Sequence, residues 1–211
     1  MKTIRISFFA ASVMFAAILL LSATTMLGQD RSKSNDAKQA RVAAPSSLIV
    51  ENFDYPAATT LTSAGWTAHS AGGTNAMTVT APGLTYSGWP GSGNAVTMAT
   101  SGEDAHRTFA AQTTGTVYAG IVVNITDAAI DAANIGGYFF HLGPSPIGTT
   151  FRGQKKKKKD ATNAISFGIT KASTSTLADI TYTPFSYSLG TTYLLIIKYT
   201  IVDGVTNDTV S

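Results

Sequence analysis

The sequence predicts an all-β domain, a two-sheet antiparallel jelly-roll sandwich, set behind an export leader and a polar spacer. Three observations predict it. From Ser47 onward, short runs rich in Val, Ile, Thr, Tyr and Phe recur between clusters of Gly, Pro, Asn, Asp and Ser. Two of these runs, VYAGIVVNI and TYLLIIKYTIV, are apolar enough to lie centrally in a sheet. The chain has no cysteine, so its domain rests on a core rather than on disulfides.

The N-terminus opens with MKTIR, a short cationic stretch, followed by the apolar run ISFFAASVMFAAILLLSA and then TTMLGQD. That is the layout of a secretory signal peptide, assigned here to residues 1–28. An apolar run of this length also meets the needs of an uncleaved anchor. Residues 29–46 are polar, charged and without apolar period, as a flexible linker is. Residues 47–211 are the folded domain. The expectation is a secreted protein, extracellular or at the cell surface, with no membrane contact once the leader is cleaved.

The expected strands run SLIVENF, AMTVTA, AVTMAT, HRTFAA, GTVYAGIVVNI, GYFFHLG, NAISFGIT, ADITYT, FSYSLG and TYLLIIKYTIV. In the fifth, Val117, Ala119, Ile121, Val123 and Ile125 alternate with Tyr118, Gly120, Val122 and Asn124, and both sets are largely apolar. This strand should be covered on both faces. In the last, Tyr193, Leu195, Ile197, Tyr199 and Ile201 share a face, and Lys198 marks the other as solvent-facing. TDAAIDAAN, residues 126–134, carries a short helical pattern that a loop with one helical turn fits equally well. The closing DTVS reads as the opening of a further strand, and the chain is expected to be truncated there.

Charge is concentrated rather than spread. The formal charge of +3 and pI near 9.1 suggest a basic protein. Setting aside Lys155–Lys159, Lys2 and Arg5 leaves eight of the 15 cationic residues against 12 carboxylates. A nucleic-acid partner is not expected, because such binders spread Lys and Arg over a face or stripe. The five-lysine run itself should form an exposed hairpin or an edge strand, since burying unpaired ammonium groups costs several kcal/mol each. A local sequence error at an adenine tract and a polyanion patch are the alternatives.

ENFDYPAATTLTSAGWTAHS, PGLTYSGWPGSGNAV, GEDAHRTF, GTVYAGIVVN, GYFFHLG, TFRG, ISFGI and YLLIIKYTIVDGVTNDTVS, in that order, resemble a bacterial secreted family of concanavalin A-like lectin/glucanase jelly rolls, often described as laminin-G-like domains. The resemblance covers residues 48–211. It implies a carbohydrate-binding or cell-surface accessory domain, with a polysaccharide or surface glycan as partner. The lysine run departs from the family, where an alternating strand continues after the Phe-Arg-Gly segment.

Catalysis finds little support in the residues. Glucanases of this superfamily use paired carboxylates in a Glu-x-Asp-x-x-Glu strand. Glu51 and Glu103 are the only glutamates, and neither sits in such a motif. Glu103 and Asp104 are adjacent and would point to opposite faces of a strand. There is no G-x-S-x-G motif and no cysteine nucleophile. His69, His106 and His141 show no metal-ligand spacing and are expected to sit singly.

A structural calcium is the one candidate cofactor. Glu51 and Asp54 in ENFD, and Asp203 and Asp208 in VDGVTND, supply oxygen ligands near turns, although DG and ND are also ordinary turn chemistry. Trp89, in the Gly- and Pro-rich YSGWPGSG, with Tyr86 beside it, is the candidate sugar platform. Trp66 should start a strand and pack on the core. The expected function is therefore a non-catalytic, lectin-like binding module. The alternatives are a spacer or display module of a longer surface protein, and a degenerate glycoside hydrolase-like domain.

Overall fold

The computed structural model describes residues 47–89, 93–128, 130, 135–144, 146–147, 151–204 and 207–211, and the backbone of residues 3–8. Thr3–Phe8 belongs to the same compact unit as Leu48–Ser211. The chain is all-β. Its strands are β1 (Thr3–Phe8), β2 (Thr67–Ser70), β3 (Thr78–Thr80), β4 (Ala95–Ala99), β5 (Asp104–His106), β6 (Gly115–Ile125) and β7 (Gly137–Leu142). They continue as β8 (Arg152–Lys159), β9 (Ala164–Ala172), β10 (Thr181–Tyr182), β11 (Tyr187–Ser188), β12 (Thr192–Ile201) and β13 (Thr209–Val210). Two 3-10 turns, Leu61–Ala64 and Leu177–Asp179, are the helical elements among the described residues.

The strands form antiparallel sheets. One has the order β13-β12-β6-β1-β4-β3, a second the order β10-β9-β8-β7 with β11 also on β9, and β2 pairs with β5. A core cluster joins the two larger sheets: Ile121, Val123 and Ile125 of β6 pack with Phe139 of β7 and Ile165 and Phe167 of β9. A second cluster unites Phe53, Leu61, Met77, Val79 and Val96. On the opposite face of β6, Val122 packs with Leu84 and Ala95. The expectation of a doubly covered β6 is met. So is that for β12, where Ile197 and Tyr199 are buried while Ile196 and Lys198 are exposed. The DTVS segment supplies β13, and Lys198 and Ser211 exchange backbone hydrogen bonds beyond it.

Three expectations need correction or comment. SLIVENF is not a strand, and of HRTFAA only His106 lies in one, at the end of β5. The Glu51 carboxylate accepts the Phe53 N–H at 2.8 Å, and Phe53 takes a left-handed φ of 52°, so the chain turns where a ladder would need it extended. The lysine run is neither edge nor loop: β8 lies between β7 and β9, and Lys156, Lys157 and Lys158 are buried. Pairing on both sides outweighs the side-chain preference, because lysine stems pack as aliphatic chains while their heads seek partners. Lys158 Nζ stands 4.0 Å above the Tyr182 ring, Lys157 Nζ is 5.8 Å from the centre of Phe139, and Lys159 pairs with Asp127 at 3.2 Å. Burial lowers the Lys155 and Lys157 amines to about 8. Finally, most of the helical pattern at 126–134 lies outside the described residues.

Gly168 makes room for this arrangement. A Cβ there would stand 2.5 Å from Tyr182 Cε1, so the ring that covers Lys158 can lie flat on the sheet only where β9 has no side chain.

Candidate functional site

A cavity of about 410 Å³ is lined by apolar residues of the core, among them Leu61, Met77, Val96, Met98 and Phe139, and by one concentrated polar group. That group contains all three histidines of the chain. The Nδ1 atoms of His69 and His106 are 3.3 Å apart, and the His69 ring lies 5.6 Å from His141. The His141 ring in turn lies 4.0 Å from Phe151, and Tyr138 packs 5.7 Å from Phe151. Tyr138 donates its hydroxyl to Asp104 Oδ2 at 2.8 Å.

Local irregularity builds this cluster. β2 and β5 pair with a register shift between Ala68 and Ser70, and β7 and β8 with shifts on both sides of Phe140. His69 and His141 are the residues at two of these shifts. A bulge re-aims a side chain out of the alternation of its strand, which is how two histidines on different sheets reach one cavity.

Electrostatics follow from burial. Desolvation is the leading cause that lowers the His69 and His141 pKa values, so both rings favour the neutral form. His141 Nδ1 lies 3.1 Å from the Leu142 carbonyl, which makes that nitrogen the proton-bearing one and leaves Nε2 as an acceptor. Burial and the bond to Asp104 push the Tyr138 hydroxyl up to about 12, so it stays a donor.

Beside the histidines lies a second polar knot. Glu51 is buried and accepts from the Phe53 N–H, the Tyr55 hydroxyl at 3.1 Å and the Trp66 indole at 3.3 Å, and it pairs with Arg107. Arg107 is half-exposed and lines the cavity. Trp66 stacks on Phe53 at 5.9 Å, as its expected position at the start of β2 requires.

The residues proposed from sequence are dispersed. Trp89 is half-buried against Leu84, Ala95 and Val122, and Tyr86 is exposed beside it, bridged backbone to backbone. Neither lines the cavity. Asp54 is exposed near Gly93. Asp208 accepts from the Tyr199 hydroxyl at 2.7 Å and the Val202 N–H at 3.0 Å, and so staples the turn that Asp203 begins. Among the described residues, no group of three or more His, Asp or Glu side chains is placed to hold a metal ion. The expectation that the histidines sit singly is overturned by their convergence. No sequence spacing signals it, because bulges and the pairing of distant strands bring them together.

Comparison with protein-family models, with curated proteins and with solved structures found no match.

Proposed function

We propose that the chain is a secreted, non-catalytic binding domain of the jelly-roll sandwich kind, and that its cavity takes a saccharide. One observation carries this reading: aromatic rings and planar hydrogen-bonding groups line one cavity. A pyranose has apolar C–H faces that stack on aromatic rings and hydroxyls that pair with carboxylates, guanidinium and imidazole groups. Tyr138, His141 and Trp66 offer the rings, while Asp104, Arg107 and His106 offer the polar edges. The volume lies within the range of small-ligand sites, roughly 300–1,000 Å³.

The carboxylates support binding over glycoside cleavage. Glu51 is held by four donors, and Glu103 accepts from the Gly73 and Met77 N–H groups at 2.9 and 3.4 Å. A catalytic pair needs an acid and a nucleophile free to face one bond.

The test is retention on immobilised polysaccharides. Tyr138→Ala should abolish it, and Trp89→Ala should leave it intact. The opposite pattern would move the site to the Trp89 loop. No retention by the parent protein on any polysaccharide would favour a display module without a ligand.

A further inference from the structure

We propose that β4 and β6 are the lips of a strand-acceptor groove and that Thr3–Phe8 is the strand that fills it, making the N-terminal segment a structural part of the sheet. The proposal goes beyond the saccharide reading and does not depend on it.

The topology states the need. β1 lies between β4 and β6, with Thr3 through Ile6 facing Ala99 through Val96 on one side and Ile4 through Phe8 facing Ile125 through Ile121 on the other. Take β1 away and the six-stranded sheet falls into β13-β12-β6 and β4-β3. Two rows of backbone N–H and C=O groups would then face each other across one strand's width, next to core residues. Unpaired backbone groups in such a place are costly, and open edges recruit strands.

The sequence meets that need independently. Thr3–Phe8 reads TIRISF, with apolar residues at 4, 6 and 8 and polar ones at 3, 5 and 7. An export leader needs a cationic start and an apolar run, not alternation. Alternation is what a strand covered on one face needs. The register matches it at residues 4, 5, 6 and 8, while Ser7 pairs with Val122, a core residue of the opposite face of β6. Ile4 pairs with Met98 and Ile125, Ile6 with Val96 and Val123, and Phe8 with Ile121, all core positions. Arg5 pairs with Thr97 and Asn124, on the other set of positions. A slip of one residue would move Ile4, Ile6 and Phe8 off these partners, so the register is specified by them. Cleavage of residues 1–28, which the secreted reading expects, empties the groove, so Thr3–Phe8 fills it in the chain that keeps its N-terminus.

The chain has no cysteine, so an introduced pair reports alone. In the full-length protein, Arg5→Cys with Thr97→Cys should form an intramolecular disulfide under mild oxidation. The slipped pair, Ile4→Cys with Thr97→Cys, should form it at least tenfold more slowly. Equal rates for the two pairs, no disulfide, or disulfides only between chains would overturn the proposal. Hydrogen exchange on the unsubstituted full chain is the second measurement. The amides of Ile4–Phe8 should exchange as slowly as those of β6, and exchange at the rate of an unstructured peptide would overturn the assignment.

Discussion

His69 and His106 meet through their Nδ1 atoms at 3.3 Å, so one ring donates and the other accepts, and at least one of the two must be neutral. Two imidazolium rings would both donate and would repel. The cluster therefore exists in its observed form only while it is not fully protonated, and both rings line the cavity.

Stability should fall on acidification below about pH 6.5. His69 and His141 have lowered pKa values in the fold, so the unfolded chain binds the extra protons first. Their contribution is complete above the unfolded value of 6.5 and is lost as pH drops beneath it. Thermal melts at pH 7.5 and 5 check this, and His69→Gln should flatten the dependence in that window. Saccharide retention should weaken over the same range.

The lysine strand predicts a slope of the same sign at alkaline pH. Lys155 and Lys157 release their protons near 8 in the fold, against 10.5 when unfolded. Between those values the unfolded chain binds more protons, so stability rises with pH. Tyr138 and Tyr199 are pushed up to about 12 and oppose the rise once unfolded tyrosines ionise near 10. The clean window is pH 8 to 10. Lys157→Met should raise unfolding free energy at pH 7 by about 3 kcal/mol, the worth of a shift of this size at 1.36 kcal/mol per unit. Urea titrations of both proteins at pH 7 and 10 measure it.

Glu51 anchors the wall that carries Trp66. Glu51→Ala leaves the buried Phe53 N–H and the Trp66 indole without their acceptor and should cost about 1–3 kcal/mol, as an unsatisfied buried donor does. Glu51→Gln, which keeps an acceptor oxygen, should cost less. Urea melts give the free energies, and the emission of Trp66 reports whether the indole moves.

Gly168→Ala should lift the Tyr182 ring from β9 and uncover Lys158, at a cost of about 1–3 kcal/mol. Truncating the ring instead, with Tyr182→Ala, should make the glycine substitution nearly neutral. A double-mutant cycle in urea tests that coupling.

How legible was this in the sequence? The long strands were plain, because β6 and β12 carry apolar alternation that survives in the fold as buried Ile121, Val123, Ile197 and Tyr199. β8 was hidden by composition: five lysines argue against burial, and only the pairing edges of β7 and β9 explain why they are buried. β1 was hidden by its setting, since TIRISF sits where a leader starts. The site was the least visible part. His69 and His141 leave their strands' alternation at register shifts, and nothing in one sequence marks a bulge ahead of time. Trp89 drew attention as an aromatic in a glycine-rich loop, yet Leu84, Ala95 and Val122 give it an apolar bed.

The central claim is that the saccharide binds in the histidine-lined cavity, and Trp66 stands in its wall as a built-in reporter. The chain has two tryptophans, so a Trp89→Phe variant emits from Trp66 alone. Titrating that variant with the oligosaccharide of whichever polysaccharide retains the protein tests the claim most directly. The account predicts a saturable change in Trp66 emission that His141→Ala removes. Unchanged emission at saturating sugar, with binding confirmed by calorimetry, would place the ligand elsewhere and contradict it.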